Sequence, residues 1–228
     1  MKTDSTTCPL CQDDKSKHYH EDSRRTYLHC LRCDLVYVPQ KFHLSSHDEK
    51  LCYDLHENNP EDSGYRKFLS RLSEPMITRL NQQHRLTQSN ELGVGLDFGC
   101  GPGPTLSVMM EEAGYQVNLY DIYYQTDKSV LEQRYDFITS TEVFEHLADP
   151  FTQITRLMSI LKPGGFLGLM TKLIQSPEKF KTWHYIMDDT HITYFSQKSF
   201  MWLARRLDSE VEFIGNDVII LQKKKTDS

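Results

Sequence analysis

Nine residues, LDFGCGPGP from Leu96 to Pro104, constrain this chain more than any others. Three glycines and two prolines follow directly on an apolar run. Glycine permits positive φ and close backbone approach, and proline fixes φ while giving up its N–H. Such a stretch predicts a turn whose backbone is the working surface. The residues around it alternate between strand and helix patterns. "GVGLDFG" reads as a buried strand, "PTLSVMMEEAG" as a helix ending at Gly114, and "QVNLYD" as a second strand. "YDFITSTEV" is another strand, "DPFTQITRLMSIL" a helix, and "GGFLGLMTKL" a strand after the turn at Lys162-Pro163-Gly164-Gly165. "SQKSFMWLARRL" is a helix with Ser196 as N-cap, and "EVEFIG" and "DVIILQ" form a hairpin around Gly215-Asn216. This alternation predicts an α/β fold: an open, mostly parallel sheet covered on both faces, with an antiparallel C-terminal edge.

A glycine-rich turn after the first strand of such a sheet sits at the carboxyl end, where open sheets bind ligands. A dinucleotide fingerprint would read G-x-G-x-x-G, but here Gly99, Gly101 and Gly103 alternate and Pro104 takes the place of the last glycine. Asp97 stands just ahead of the turn. A pyrophosphate would be repelled there and a cation held, which speaks against a nicotinamide oxidoreductase. Asp121, 24 residues further on, ends the second strand and is placed to accept hydrogen bonds from both hydroxyls of a ribose. A ligand with a ribose, an ammonium and a sulfonium satisfies both acids: S-adenosylmethionine.

Leu96–Gly103 resembles the first motif of the class I S-adenosylmethionine-dependent methyltransferases, and Tyr120-Asp121 their acidic second motif. "TSTEVFEHLADP" resembles the segment after the fourth strand and "LKPGG" the turn before the fifth, in the right order over residues 92–173. The resemblance implies a Rossmann-like sheet. It places Asp97 and the turn Gly99, Cys100, Gly101 and Gly103 on the methionine end of the cofactor, and Asp121 with Ile122 on the ribose side. Glu142 falls near the amino-acid moiety or the floor of the site. Glu145 and His146 follow, and His146 is placed either to face substrate or to bond within the structure. The family's helix and third strand are compressed into Ile122–Arg134, so its acidic contact to adenine has no clear counterpart; Asp127 is a candidate by position alone.

Residues 1–50 carry four of the six cysteines and little helical periodicity, with short extended pieces at Lys17–Tyr19, Tyr27–Cys30 and Leu35–Val38. Cys8-x2-Cys11 and Cys30-x2-Cys33, 18 residues apart, have the spacing of a tetrahedral thiolate site for structural zinc. A module so poor in apolar residues draws folding energy from its metal. The expected organisation is a zinc-ribbon-like module at 1–50, a helical linker or cap at 51–91, and the methyltransferase domain at 92–228. Within the cap, Tyr65–Leu72 has helical spacing, Pro75 opens a second helical segment, and Gln82–Glu91 is polar connection.

"WHYIMDDTHITYFS", residues 183–196, follows the fifth strand and gathers aromatic, histidine and acidic side chains. In related methyltransferases a similar segment borders the active site. His191, Tyr185, His184 and Asp188 are therefore candidates, with His146, for orienting or deprotonating the acceptor. A net charge of −6 gives no global field for nucleic acid or anionic membrane. No apolar run approaches the length of a membrane span, and the N-terminus is polar, so a cytoplasmic location is expected. The reading is a methyltransferase for a small-molecule acceptor. An RNA or protein methyltransferase that docks through the zinc module is the alternative, and a non-catalytic cofactor-binding module a third; oligomeric state is left open.

Overall fold

A computed structural model describes residues 7–55, 58–87 and 92–225. The N-terminal strands β1 (Ser16–Glu21), β2 (Thr26–Cys30) and β3 (Val36–Tyr37) pair in sequence order, antiparallel. Helix α1 (Ser46–Tyr53) follows, capped by Ser45 and with Asp48 and Glu49 in its first turn. Then comes α2 (Ser63–Thr87), a single 25-residue helix that includes Pro75.

The sequence had suggested that Pro75 opens a new helix. Proline inside a helix removes one N–H and costs about 3 kcal/mol. Here Leu69, Leu72, Met76 and Leu80 are all buried on one face, against Leu106, Met110, Phe166 and Ile220, and that packing outweighs the break. The same periodicity carries the helix through residues expected to be a polar connection, as far as Thr87.

The main sheet contains β4 (Val94–Phe98), β5 (Gln116–Tyr120), β6 (Tyr135–Thr141), β7 (Leu161–Met170), β9 (Ser209–Ile214) and β10 (Val218–Lys223). Its order is β5-β4-β6-β7-β10-β9. The first four strands are parallel; β10 runs antiparallel to both β7 and β9. This is the α/β sheet with an antiparallel edge that the alternation predicted. The stretch Lys162–Gly165 lies inside β7 as a bulge rather than before it: the register shifts between Tyr135↔Leu161 and Phe137↔Phe166. Between β5 and β6 there is only a short 3-10 turn, Lys128–Glu132, so β5 is the sheet edge, as the compressed spacing implied.

The strand period of two sorts side chains onto two faces. Phe166, Met170, Val218 and Ile220 meet α2 and α3 (Thr105–Glu112). Leu167, Leu169, Ile219 and Leu221 meet α4 (Pro150–Ile160) and α6 (Gln197–Arg206). Ser196 caps α6, its hydroxyl accepting from Ser199 N–H while the Ser199 hydroxyl accepts from Ser196 N–H. Between β7 and α6 lie the short helix α5 (Pro177–Phe180) and strand β8 (Thr193–Tyr194).

β8 does not join the main sheet. It pairs antiparallel with β3, Val36 against Tyr194 and Tyr37 against Thr193, so the N-terminal strands form one four-stranded sheet with a strand from the far end of the chain. Cys8, Leu10, Leu35 and Tyr37 share a core with Phe195, Phe200 and Leu203.

Candidate active site

The glycine turn follows β4 at the carboxyl rim. Gly99 and Gly101 have φ of 77° and 66°, and both Gly99 and Cys100 donate N–H bonds to Tyr120 O, at 2.7 and 3.3 Å. A Cβ on Gly99 would lie 2.3 Å from Val143 Cγ2, and one on Gly103 would lie 1.9 Å from Asn58 O. Neither position admits a side chain, and Asn58 lies directly against the turn. Cys100 is buried, its Sγ 3.6 Å from Gly101 O.

Asp97 and Asp121 stand on either side of this turn. Asp97 is 2% exposed, and its Oδ1 accepts from Thr139 Oγ1 at 2.9 Å. Burial pushes its carboxyl up to about 7; the Asp121 charge adds to this, against the Thr139 hydrogen bond. Asp121 Oδ2 accepts from Gly101 N–H at 3.0 Å, and Oδ1 from Tyr123 and Tyr124 N–H at 2.8 and 3.1 Å. A carboxylate has about four lone-pair sites. Oδ1 is thus filled by its two N–H donors, and Oδ2 keeps capacity for one hydroxyl. Ile122, beside it, is 67% exposed. Asp127 is spent as the cap of the 3-10 turn, accepting from Ser129 N–H.

At the end of β6, Glu142 has φ of 51°, a left-handed conformation uncommon for a residue with a side chain, and its N–H donates to Met170 O at 2.8 Å. Glu145 is fully buried. Tyr185 OH donates to Glu145 Oε1, lies 3.3 Å from Glu142 Oε2, and 3.3 Å from Thr171 Oγ1. Burial, with the charge of Glu145, pushes Glu142 up to about 9; burial pushes Glu145 up to about 7 and Tyr185 well above its ordinary range. Glu142 Oε1 and Glu145 Oε2 are buried without a hydrogen-bond partner. Orphaned acceptors of this kind mark a site that expects something else.

His191 joins this group. Its Nδ1 lies 2.7 Å from Tyr185 O, its ring 4.1 Å from that of Tyr185 and 4.7 Å from that of His146. A carbonyl only accepts, so Nδ1 carries the proton. Burial first, then the neighbouring His146, holds His191 down to about 4, so its Nε2 keeps a lone pair at neutral pH. His146 Nδ1 lies 3.2 Å from Thr190 O. Glu145, His146 and His191 offer ligand atoms within 4.8 Å of one another, a donor set able to hold a cation. His184 is exposed, with Nε2 2.9 Å from Lys172 Nζ, and Asp188 accepts from Thr190 N–H and Oγ1.

Sequence reasoning missed the parts that frame the site. Helix α1 bridges its two halves: Glu49 accepts from Tyr53 and Tyr123, Asp54 accepts from Tyr124, and the Tyr53 ring meets His146 edge-on at 5.2 Å. Arg25 is 4% exposed and donates to Ile186, Asp188 and Asp189 carbonyls and to the Tyr27 and Tyr194 hydroxyls, all between 2.8 and 3.0 Å. Arg24 adds bonds to Ile186 and Met187 carbonyls and to Asp189. The turn before β2 thus clamps the segment that carries His191. "RR" at 24–25 is the only sequence signal for it, and it is indistinguishable there from a solvated pair.

The four N-terminal cysteines converge. Cys8 Sγ is 3.5 Å from Cys33 Sγ and Cys11 Sγ is 3.4 Å from Cys30 Sγ, and all four lie within 4.8 Å of one another. Tetrahedral zinc at about 2.3 Å from each sulfur sets sulfur edges of about 3.8 Å. The set fits that ion.

A parallel sheet with a glycine turn and two acids at its carboxyl rim defines a class I S-adenosylmethionine-dependent methyltransferase. The profile of the family described as "Methyltransferase domain" matches residues 64–212, and the chain belongs to that family. Over 89 residues it is 30% identical to a ubiquinone biosynthesis O-methyltransferase of Dinoroseobacter shibae, spanning 38% of this chain and 34% of that protein. A Cereibacter sphaeroides protein of the same name is 28% identical over 111 residues, 43% of its length. The chain thus spans roughly a third to two fifths of the curated relatives it matches. Among solved structures it is similar to magnesium protoporphyrin IX methyltransferase of Synechocystis PCC 6803 with bound S-adenosylhomocysteine, at 14% identity and TM-score 0.48, over 81% of this chain and 96% of that one. A 1,6-didemethyltoxoflavin-N1-methyltransferase of Burkholderia thailandensis aligns at 14% identity and TM-score 0.45, over 92% and 100%.

Proposed function

We propose that this protein transfers a methyl group from S-adenosylmethionine to a small-molecule acceptor, in line, at the carboxyl rim between β4 and β7. The observation that carries the reading is the pair Asp97 and Asp121 across a turn that admits no side chain. The buried Asp97 carboxyl, with one protein donor, suits the cofactor's ammonium. The glycine turn takes its methionine portion, with Cys100 beside it, and Asp121 with Ile122 takes the ribose side. When bound, the cofactor supplies an electrophilic methyl group on a sulfonium leaving group. Positioning of the acceptor then provides most of the acceleration.

Glu142, Tyr185, His146 and His191 form the acceptor side. His191 Nε2, neutral and proton-free, is the group suited to orient or deprotonate an acceptor hydroxyl or amine. The curated relatives named above are O-methyltransferases by name, and small-molecule acceptance here is in keeping with them. A structural zinc on Cys8, Cys11, Cys30 and Cys33 belongs to the same reading. Its module spends Arg24 and Arg25 on the acceptor loop, which leaves them unavailable to dock RNA or protein.

Calorimetry with S-adenosylhomocysteine tests the cofactor site. Asp121→Ala weakens binding by about 1–3 kcal/mol in a protein that still folds. Wild-type affinity in a folded Asp121→Ala variant would overturn the ribose assignment. On the acceptor side, His191→Ala lowers turnover by about 10²-fold or more with cofactor affinity unchanged.

A further inference from the structure

Past the end of β7, where the chain turns into α5, a cavity of about 310 Å³ opens beside the β9–β10 turn. That is enough for a small aromatic molecule. Leu173, Ile174, Phe180 and Trp183 give it an apolar wall, and Lys172 and Lys179 bring two amines to it. Asp217 is the one acid among its described lining residues, and Arg71 already pairs with it. Lys172 has no carboxylate in ion-pair range among the described residues. Its Nζ sits 2.9 Å from His184 Nε2 and 5.1 Å above the Tyr185 ring. Lys179 donates only to the neutral Gln175 Oε1, at 2.6 Å. The cavity is therefore apolar along one wall and carries two amines with no carboxylate in ion-pair range among the described residues.

Its position ties it to the reaction. Met170, the last residue of β7, holds Glu142 N–H, and the Trp183 ring lies 4.9 Å from that of Tyr185. With strands about 4.8 Å apart, β7 lies about 10 Å from β4, the strand that leads into the glycine turn. Trp183, which lines the cavity, is the contact that joins it to Tyr185.

We propose that this cavity holds the anionic end of an aromatic acceptor. Its carboxylate lies between Lys172 and Lys179, its ring lies against Trp183, and its acceptor atom reaches back over Tyr185. The proposal rests on the methyltransferase reading for its link to turnover, but binding tests it independently.

Naphthalene-2-carboxylate and its uncharged twin, naphthalene-2-carboxamide, are titrated into the full chain by calorimetry, with and without S-adenosylhomocysteine. In a Trp202→Phe background the remaining tryptophan, Trp183, reports fluorescence quenching. The carboxylate binds about tenfold more tightly than the carboxamide, because charge-assisted bonds are the stronger ones. Lys172→Met and the exposed Lys179→Met each remove most of that preference and leave carboxamide binding unchanged. Equal affinities for the two probes, no binding of either, or a preference that survives both substitutions overturns the proposal. Failure of S-adenosylhomocysteine to bind while the carboxylate preference holds would instead overturn the cofactor assignment.

Discussion

Asp97 shows how one residue couples ligand and proton. Its carboxyl is raised because burial penalises the charged form, and the folded free protein holds a proton there up to about pH 7. Bound beside a cationic group, the carboxylate must be ionised, so binding releases that proton. S-adenosylhomocysteine affinity should therefore be level above pH 7 and fall by up to about tenfold per unit below it. Calorimetry between pH 5.5 and 8.5 measures the slope, and a flat profile would contradict it. The stability sign follows. The unfolded chain loses this proton in the ordinary carboxylate range, so the folded state binds more protons between there and pH 7. The free protein loses that contribution as pH rises through the window. Asp97→Asn, which keeps an acceptor for Thr139, removes the dependence: it melts above wild type at pH 8 and close to it at pH 4. His191 acts with the opposite sign. Depressed to about 4, it stays neutral while the unfolded imidazole protonates, so its contribution is lost as pH falls from about 6.5.

At the scale of elements, the segment that carries Tyr185 and His191 is held from outside the main sheet. Residues 184–192 contain only a 3-10 turn, His184–Met187, and the carbonyls of residues 186–189 accept from Arg24 and Arg25. Arg25→Ala removes five hydrogen bonds, leaves the Asp189 carbonyl without its donor and destabilises by at least about 2 kcal/mol. Turnover falls further than stability explains, while cofactor affinity holds, because Asp97 and Asp121 lie on other elements. Denaturant melts and steady-state kinetics on the same preparation separate the two effects; unchanged kinetics would show that the clamp only supports the fold. Helix α6 offers a smaller test. Ser196 caps it and also donates to Asp34 Oδ2 at 2.7 Å, linking the helix to the cysteine module. Ser196→Ala costs about 1–2 kcal/mol in a thermal or denaturant melt.

For the whole molecule, the pairing of β3 with β8 joins the N-terminal module to the segment that carries His191. A metal bound by its four cysteines would then contribute both to folding and to the geometry around His191. Metal analysis should find one zinc per chain. Cys30→Ser should release it, and hydrogen exchange should quicken in residues 185–194 as well as in the module. Fast exchange confined to residues 7–38 would mean that the two parts fold independently. Among the described residues no helix is long and apolar enough to cross a membrane.

The central sheet was legible in the sequence because its signals are local. The glycine turn, the period-two strands and the Ser196 cap each depend on residues within a few positions of one another. The acids at 97 and 121 could be read because a parallel sheet places every strand's carboxyl end on one rim. The cysteine spacing was legible for the same reason, since two short turns define a tetrahedron. Pro75 misled because local propensity argued for a break, and burial against β7 and β10 decided otherwise. Glu145 gave no sign of its burial against Tyr185, 40 residues away, nor Arg25 of its four bonds to residues 186–194. The Asn58 contact to the turn and the bridge made by α1 also join residues remote in sequence. The sequence by itself determined which residues stand at the rim. Tertiary structure decided what surrounds it, because burial, shared protons and orphaned acceptors exist only once distant segments have met.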